Sequence, residues 1–150
     1  MISLLWQAIF NESFDAHTLI DPLSGEFVAE FFGCNMITTD ILRLDRLDPL
    51  QQITGNKVFK LLGHLAAYEK SSRHAIVSFG GRWSNHLPAL AAVSQRLNIP
   101  SFGLVRGYPE QALTATLQDC VAMGMTLKFC DKLTYAQRYN SQWRAQLSAQ

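Results

Sequence analysis

Two short stretches carry residues whose types and spacing could do chemistry. In the first, Gly55-Asn56-Lys57 opens a run of helix-favouring residues, with Lys60 three positions on. A lysine ε-amine attacks a carbonyl only when unprotonated, and an ordinary pKa of about 10.4 makes that rare at neutral pH. The positive end of a helix dipole disfavours the ammonium by only about 0.3–1 kcal/mol, so burial must supply most of any lowering. Placed so, Lys57 is a candidate Schiff-base nucleophile. The plain alternative is a solvated first-turn lysine, which a lone Gly-Asn-Lys does not exclude.

The second stretch is Ser78-Phe-Gly-Gly-Arg-Trp-Ser-Asn-His86. Gly80 and Gly81 let the chain leave a strand sharply and bring backbone N–H groups close to a ligand. Ser84 and Asn85 then stand at a helix start, offering a hydroxyl, an amide and free N–H groups to an anion such as a carboxylate. A serine N-cap followed by ordinary helix-start residues explains Ser84 equally well, but leaves the two glycines unexplained.

The surrounding pattern gives the elements that must hold these stretches. A helix is expected from about Asn56 to Glu69, with Phe59, Leu61, Leu62, Leu65 and Ala66 on its buried side. "HAIVSFGG" is a compact apolar run ending in glycines, and "SNHLPALAAVSQRLNI" reads as a helix capped by Ser84, with Pro88 in its first turns. "PSFGLVRG" is strand-like, "PEQALTATLQDCVAMG" a helix closed by Gly124, "MTLKFCD" a strand, and "KLTYAQRYNSQWRAQLSAQ" a helix running to Gln150. Strands alternating with helices at this spacing call for a three-layer, open parallel α/β sheet flanked by helices on both faces, with ligands at the carboxyl ends of the strands. The first fifty residues read as irregular: "DPLSGEFVAEFFGC" joins a turn signal to an aromatic run fit for a short strand or core plug. "MITTDILRLDRLDPL" alternates like a strand ending at Asp48-Pro49.

With 150 residues the chain suits one domain, and 48% hydrophobic with 17% charged residues is ordinary globular composition. A net charge of +1 leaves no electrostatic footprint for nucleic acid. Cys34, Cys120 and Cys130 lie far apart with no zinc-site spacing, so reduced thiols and no metal are expected. The apolar start "MISLLWQAIF" lacks the basic residues and cleavage site of a signal peptide, and no apolar run spans a bilayer, so no membrane partner and a cytoplasmic location are expected. Neither G-x-G-x-x-G nor G-x-x-x-x-G-K-[ST] occurs, which disfavours a nucleotide-binding domain.

Taken together, "LRLDRLDPLQQITGNKVFKL" and "AIVSFGGRWSNHLPALAA" resemble the 1-aminocyclopropane-1-carboxylate deaminase / D-cysteine desulfhydrase family, enzymes of fold type II that depend on pyridoxal phosphate (PLP). The likeness continues through "GLVRG", "ATLQDCVAMGM" and "DKLTYAQR", so it runs roughly from Ile41 to Arg138 with the order of blocks kept. The resemblance implies that Lys57 holds PLP covalently and that Ser84 is the nucleophile of ring-opening members. It also implies that Asn85 reaches the cofactor's phenolic oxygen and that Lys60 approaches its phosphate; His86 falls where the family varies with substrate. It implies a lyase or hydrolase of amino-acid metabolism: a deaminase or desulfhydrase releasing a 2-oxo acid and ammonia from a small amino-acid substrate.

The family's glycine-rich phosphate loop and the group facing the pyridine nitrogen come later in the chain than Gln150. The resemblance is therefore to the N-terminal half. Residues 1–50 are expected to pack on a larger domain, and 51–150 to form the α/β domain carrying the lysine. A homodimer or a complementing C-terminal chain would complete the site, and a truncated, non-catalytic remnant that binds a small ligand is the alternative.

Overall fold

The computed structural model describes residues 7, 9, 10, 19–33, 38–48, 52, 53 and 55–147. Cys34, Pro49 and the last three residues, where part of the expected C-terminal helix falls, lie outside these.

In the N-terminal part, β1 (Ile20–Pro22) pairs antiparallel with β2 (Asp40–Leu42), Ile20 opposite Leu42. Between them the aromatic run forms a helix, α1 (Gly25–Phe32), rather than the expected strand or plug. Local chemistry decides this. The Ser24 hydroxyl accepts from the Phe27 N–H at 3.2 Å, and Gly33 closes the helix in the left-handed region at φ 64°. Val28 is buried, while Phe27 and Phe31 stack on each other at 5.6 Å on the exposed side. The strand expected through Leu47 stops at Leu42 and gives way to a 3₁₀ turn, Leu44–Arg46. That turn lets Arg43 and Arg46 converge on the Asp21 carboxylate at 2.6–2.9 Å. Arg46 first, then Arg43, holds the Asp21 carboxyl below its ordinary range, and Arg43 holds that of Asp45 down to about 2.

The α2 helix (Lys57–Glu69) buries Val58, Leu61, Leu62 and Leu65. Phe59, expected on that face, is 46% exposed; Val58, a quarter-turn away, takes its place. Next come β3 (Ile76–Gly81), α3 (His86–Arg96), β4 (Ser101–Arg106), α4 (Ala115–Ala122) and β5 (Thr126–Cys130). The three strands form a parallel sheet in the order β3-β4-β5, with Ile76 opposite Ser101 and Phe102 opposite Thr126. The expected α/β architecture, a parallel sheet flanked by helices, is present among the described residues.

Packing assigns the faces. A Cβ on Gly80 would meet Leu87 of α3, and one on Gly103 would meet Met125, Leu127 and Leu87, so these positions face α3. Phe79 points the other way and contacts Tyr135 and Trp143, at ring-centroid distances of 6.3 and 5.9 Å. Those rings belong to α5 (Lys132–Ala136) and α6 (Ser141–Leu147). The single C-terminal helix expected here is broken by a 3₁₀ turn and by an extended Asn140, whose side chain accepts from the N–H groups of Gln142 and Trp143 and so starts a new helix. In α4, Thr114 caps the helix through the Leu117 N–H, so Pro109–Leu113 stay outside the expected helical span. Residues 87 and 89–94 of α3 are buried, and all of them but Ser94 join Val105, Leu117, Cys120, Leu65, Ile9, Leu47 and Ile53 in one core. Burial pushes the Cys120 thiol up to about 11 and also raises that of Cys130, so both are poor nucleophiles at neutral pH.

Candidate functional site

Gly55 adopts φ 65°, a conformation that L side chains rarely take, and turns the chain into α2. Asn56 precedes the helix without capping it; its Oδ1 instead accepts a hydrogen bond from Lys57 Nζ at 2.9 Å. Lys57 is thus the first residue of α2, half-buried, with its amine drawn back over the entering turn. Lys60 is exposed one turn further along.

The second stretch leaves β3 through Gly80 and Gly81. A Cβ on Gly80 would fall 2.6 Å from Leu87 Cδ1 and 2.9 Å from Ser84 Cβ, so glycine is what lets the Ser84 turn fold back on the strand. Nothing lies within 4 Å of a Cβ on Gly81, which leaves open space at the strand end. The helix begins at His86, two residues past the serine expected to cap it, yet the Ser84 hydroxyl still accepts from the His86 N–H at 3.2 Å. Asn85 is exposed, and its side chain makes no capping bond. A hydroxyl, an amide and an open strand end therefore face outward together.

The helices that the two stretches open, α2 and α3, pack on each other, and His86 stands at the start of the second. Its imidazole is held below the ordinary histidine range, first by burial and then by the charges of His64, Lys57 and Lys60. Its Nε2 lies 2.9 Å from Ser78 Oγ on β3. Neither His64 nor Ser78 carries a signal of its own in the sequence. An eight-residue separation across a strand, a turn and a helix start shows no period, and only strand register could have exposed it. Arg82 was likewise without a role. It donates to the Ala112 carbonyl, its own carbonyl accepts from Thr114 Oγ1 at 2.6 Å, and its buried Nη1 has no partner among the described residues.

Exposed aromatic and aliphatic side chains collect where the strands end: Trp83 after β3, Tyr108 after β4, and Leu133 and Tyr139 after β5. A cleft of about 360 Å³ lies at the opposite edge, lined by Ser94, Asn98, Pro100, Ser101, Met123 and Gly124, and contains none of the expected site residues. Among the described residues no group of His, Cys, Asp and Glu side chains could hold a metal ion, and no helix is long and apolar enough to cross a membrane. No family model matches the chain, and no curated protein matches it.

Proposed function

We propose that this chain carries the lysine-bearing α/β part of a fold-type-II, PLP-dependent deaminase or lyase. Its substrate would be a small amino acid of the 1-aminocyclopropane-1-carboxylate or D-cysteine type, converted to a 2-oxo acid and ammonia. The observation that carries this reading is the packing of α2 on α3, since Lys57 opens the first helix and Ser84-Asn85 directly precede the second. The donor types suit the cofactor: an amine for its aldehyde and a second lysine for its phosphate on α2, and an amide with an open strand end at the start of α3.

Bound PLP would supply an electron sink for the substrate carbon. The chain's own residues would do the rest. Lys57 would hold the cofactor through its aldehyde and, for a D-cysteine-type substrate, would take or return the proton on the α-carbon, a proton that the cyclopropane substrate lacks. Asn56 Oδ1 keeps that amine over the turn. The Ser84-Asn85 turn would receive the substrate carboxylate and hold Ser84 Oγ beside the ring of a cyclopropane substrate. Lys60 offsets phosphate charge.

The deciding experiment mixes the purified chain with PLP, reduces with borohydride and maps the modified lysine. The expected result is an adduct at Lys57 that is lost in Lys57→Ala. No adduct at saturating PLP, or one at another lysine, overturns the reading. The exposed Trp83, Leu133 and Tyr139, 74%, 81% and 76% accessible, support a second element of the proposal: a homodimer or complementing chain covers the carboxyl edge of the sheet.

A further inference from the structure

Charge is divided unevenly along the chain. Residues 19–48 hold six acidic side chains against two basic ones, whereas residues 126–147 hold four basic ones against Asp131 alone. In the first group Arg43 and Arg46 are both engaged by Asp21, and Arg43 also by Asp45. Glu26 and Glu30 of α1 are exposed and make no ion pair among the described residues. They stand four positions apart beside Phe27 and Phe31, which are 47% and 71% exposed, so one outward side of α1 is at once acidic and aromatic. Val28, on the opposite side, is the residue that this helix buries.

A second face has the opposite sign. Phe79, Leu104 and Lys128 lie side by side in the parallel register, so Lys128 shares the sheet face that α5 and α6 cover, and it is exposed there. Lys132 opens α5 and is also exposed. After it the Arg138 guanidinium lies 4.5 Å from the Tyr135 ring centroid and 4.1 Å from that of Tyr139, and Arg106 lies 5.8 Å from Tyr135. None of these four cations makes an ion pair among the described residues. Asp131 is spent on starting α5: its carboxylate accepts from the Thr134 N–H at 2.8 Å and from the Thr134 hydroxyl at 3.0 Å. Leu133 and Tyr139, 81% and 76% exposed, add apolar surface to this basic face.

We propose that the acidic face of α1 in one copy docks on the basic α5 face of a second copy, and reciprocally, in a two-fold dimer. In a two-fold pair each contact occurs twice, so both faces of both copies are covered and the assembly closes. Opposite charge steers the encounter and fixes its register, while the phenylalanines, Leu133 and Tyr139 supply apolar area to remove from water. Nucleic acid suits the basic face less well, because Tyr135 and Tyr139 already stack on guanidiniums instead of standing free for bases. Of the two covering chains considered above, this selects a second copy, on grounds independent of PLP.

Sedimentation of the full chain over a range of concentrations should show a monomer–dimer equilibrium that shifts toward monomer as salt rises. Two charge-reversed variants test the contact at exposed positions: Glu26→Lys with Glu30→Lys, and Lys128→Glu with Lys132→Glu. Each alone should weaken the dimer by at least about tenfold. Mixed together they should pair again at close to the parent's strength. The basic α1 of the first meets the acidic α5 face of the second, and the unaltered faces meet in the reverse sense. Should a variant misfold, carbodiimide cross-linking of mixed light and isotope-labelled parent chains tests the contact without substitution. It should join Glu26 or Glu30 of one copy to Lys128 or Lys132 of the other. A chain that stays monomeric, assemblies that grow without closing, a dimer indifferent to both reversals, variants that do not pair when mixed, or cross-links within one copy alone would each overturn the proposal. A monomer that binds oligothymidylate, and loses it in Lys128→Glu with Lys132→Glu, would assign the basic face to nucleic acid instead. A Lys57 adduct in a monomeric chain defeats this inference alone; a dimer without an adduct defeats the PLP reading alone.

Discussion

The two ends of α3 solve opposite problems with the same kinds of residue. At its last turn Arg96 is surrounded by acceptors: Asp48 at 2.8 and 2.9 Å, the Ile9 carbonyl at 2.9 Å and Gln52 at 3.1 Å. Asp48 is 2% exposed, and its carboxylate also accepts the N–H groups of Gln52 and Ile53. At its first turn Asn85 is exposed with no capping bond, Gly81 faces open space, and the His86 imidazole is held below its ordinary range by burial and then by His64, Lys57 and Lys60. One end has its polar groups paired internally and ties the N-terminal part to the sheet. The other leaves polar groups unpaired, which suits binding rather than stability. The cation at a helix C-terminus adds to the first arrangement, and free N–H groups at the N-terminus add to the second.

The largest effect should come from cutting the tethered end. Arg96→Ala leaves a buried carboxylate without its cation, a loss of about 3–5 kcal/mol that denaturant unfolding would show. A loss below about 1 kcal/mol would place this pair with ordinary surface bridges and dissolve the contrast. Next is the packing beneath the open end. Gly80→Ala puts a methyl within 2.6 Å of Leu87 and 2.9 Å of Ser84, an overpacking that costs about 1–3 kcal/mol and displaces the Ser84 turn. Gly81→Ala, with nothing within 4 Å, should leave stability within about 0.5 kcal/mol. Equal losses in the two variants would show that the turn does not depend on the close approach at Gly80.

The same contrast explains what the sequence made legible. The sheet was readable because strands of a parallel sheet covered on both faces are short apolar runs, such as Ile76–Gly81, set between helical periods. The turns before Lys57 and Ser84 were readable because each needs a glycine: Gly55 takes φ 65°, and Gly80 lies where a Cβ would meet Leu87 and Ser84. Pairings made by tertiary register were not. Arg96 meets Asp48 across 48 residues, and His86 meets Ser78 only after β3 and α3 are folded together. Local competition misled elsewhere: Ser24 and Asn140 side chains captured backbone N–H groups, making a helix of an expected strand and breaking an expected helix.

A smaller effect separates capping from chemistry at the open end. Ser84 Oγ accepts one backbone N–H, so Ser84→Ala should cost about 0.5–2 kcal/mol in stability. If the hydroxyl also attacks substrate, turnover of a cyclopropane substrate should fall far more than that loss explains. A folded variant with unaltered turnover would leave Ser84 a purely structural role.

The smallest expected effect is the pH dependence of stability from one half-buried ring. Burial first, then the charges of His64, Lys57 and Lys60, hold the His86 imidazole below its unfolded value near 6.5. In that range the unfolded chain binds more protons than the folded one, so stability rises with pH. The contribution is fully present above about pH 6.5 and is lost as pH falls through the folded value. His86→Gln should therefore flatten the acid side of the stability profile while leaving the neutral side close to that of the parent. A profile that stays steep in His86→Gln would assign the acid sensitivity to other groups and leave the open end of α3 without its titrating member.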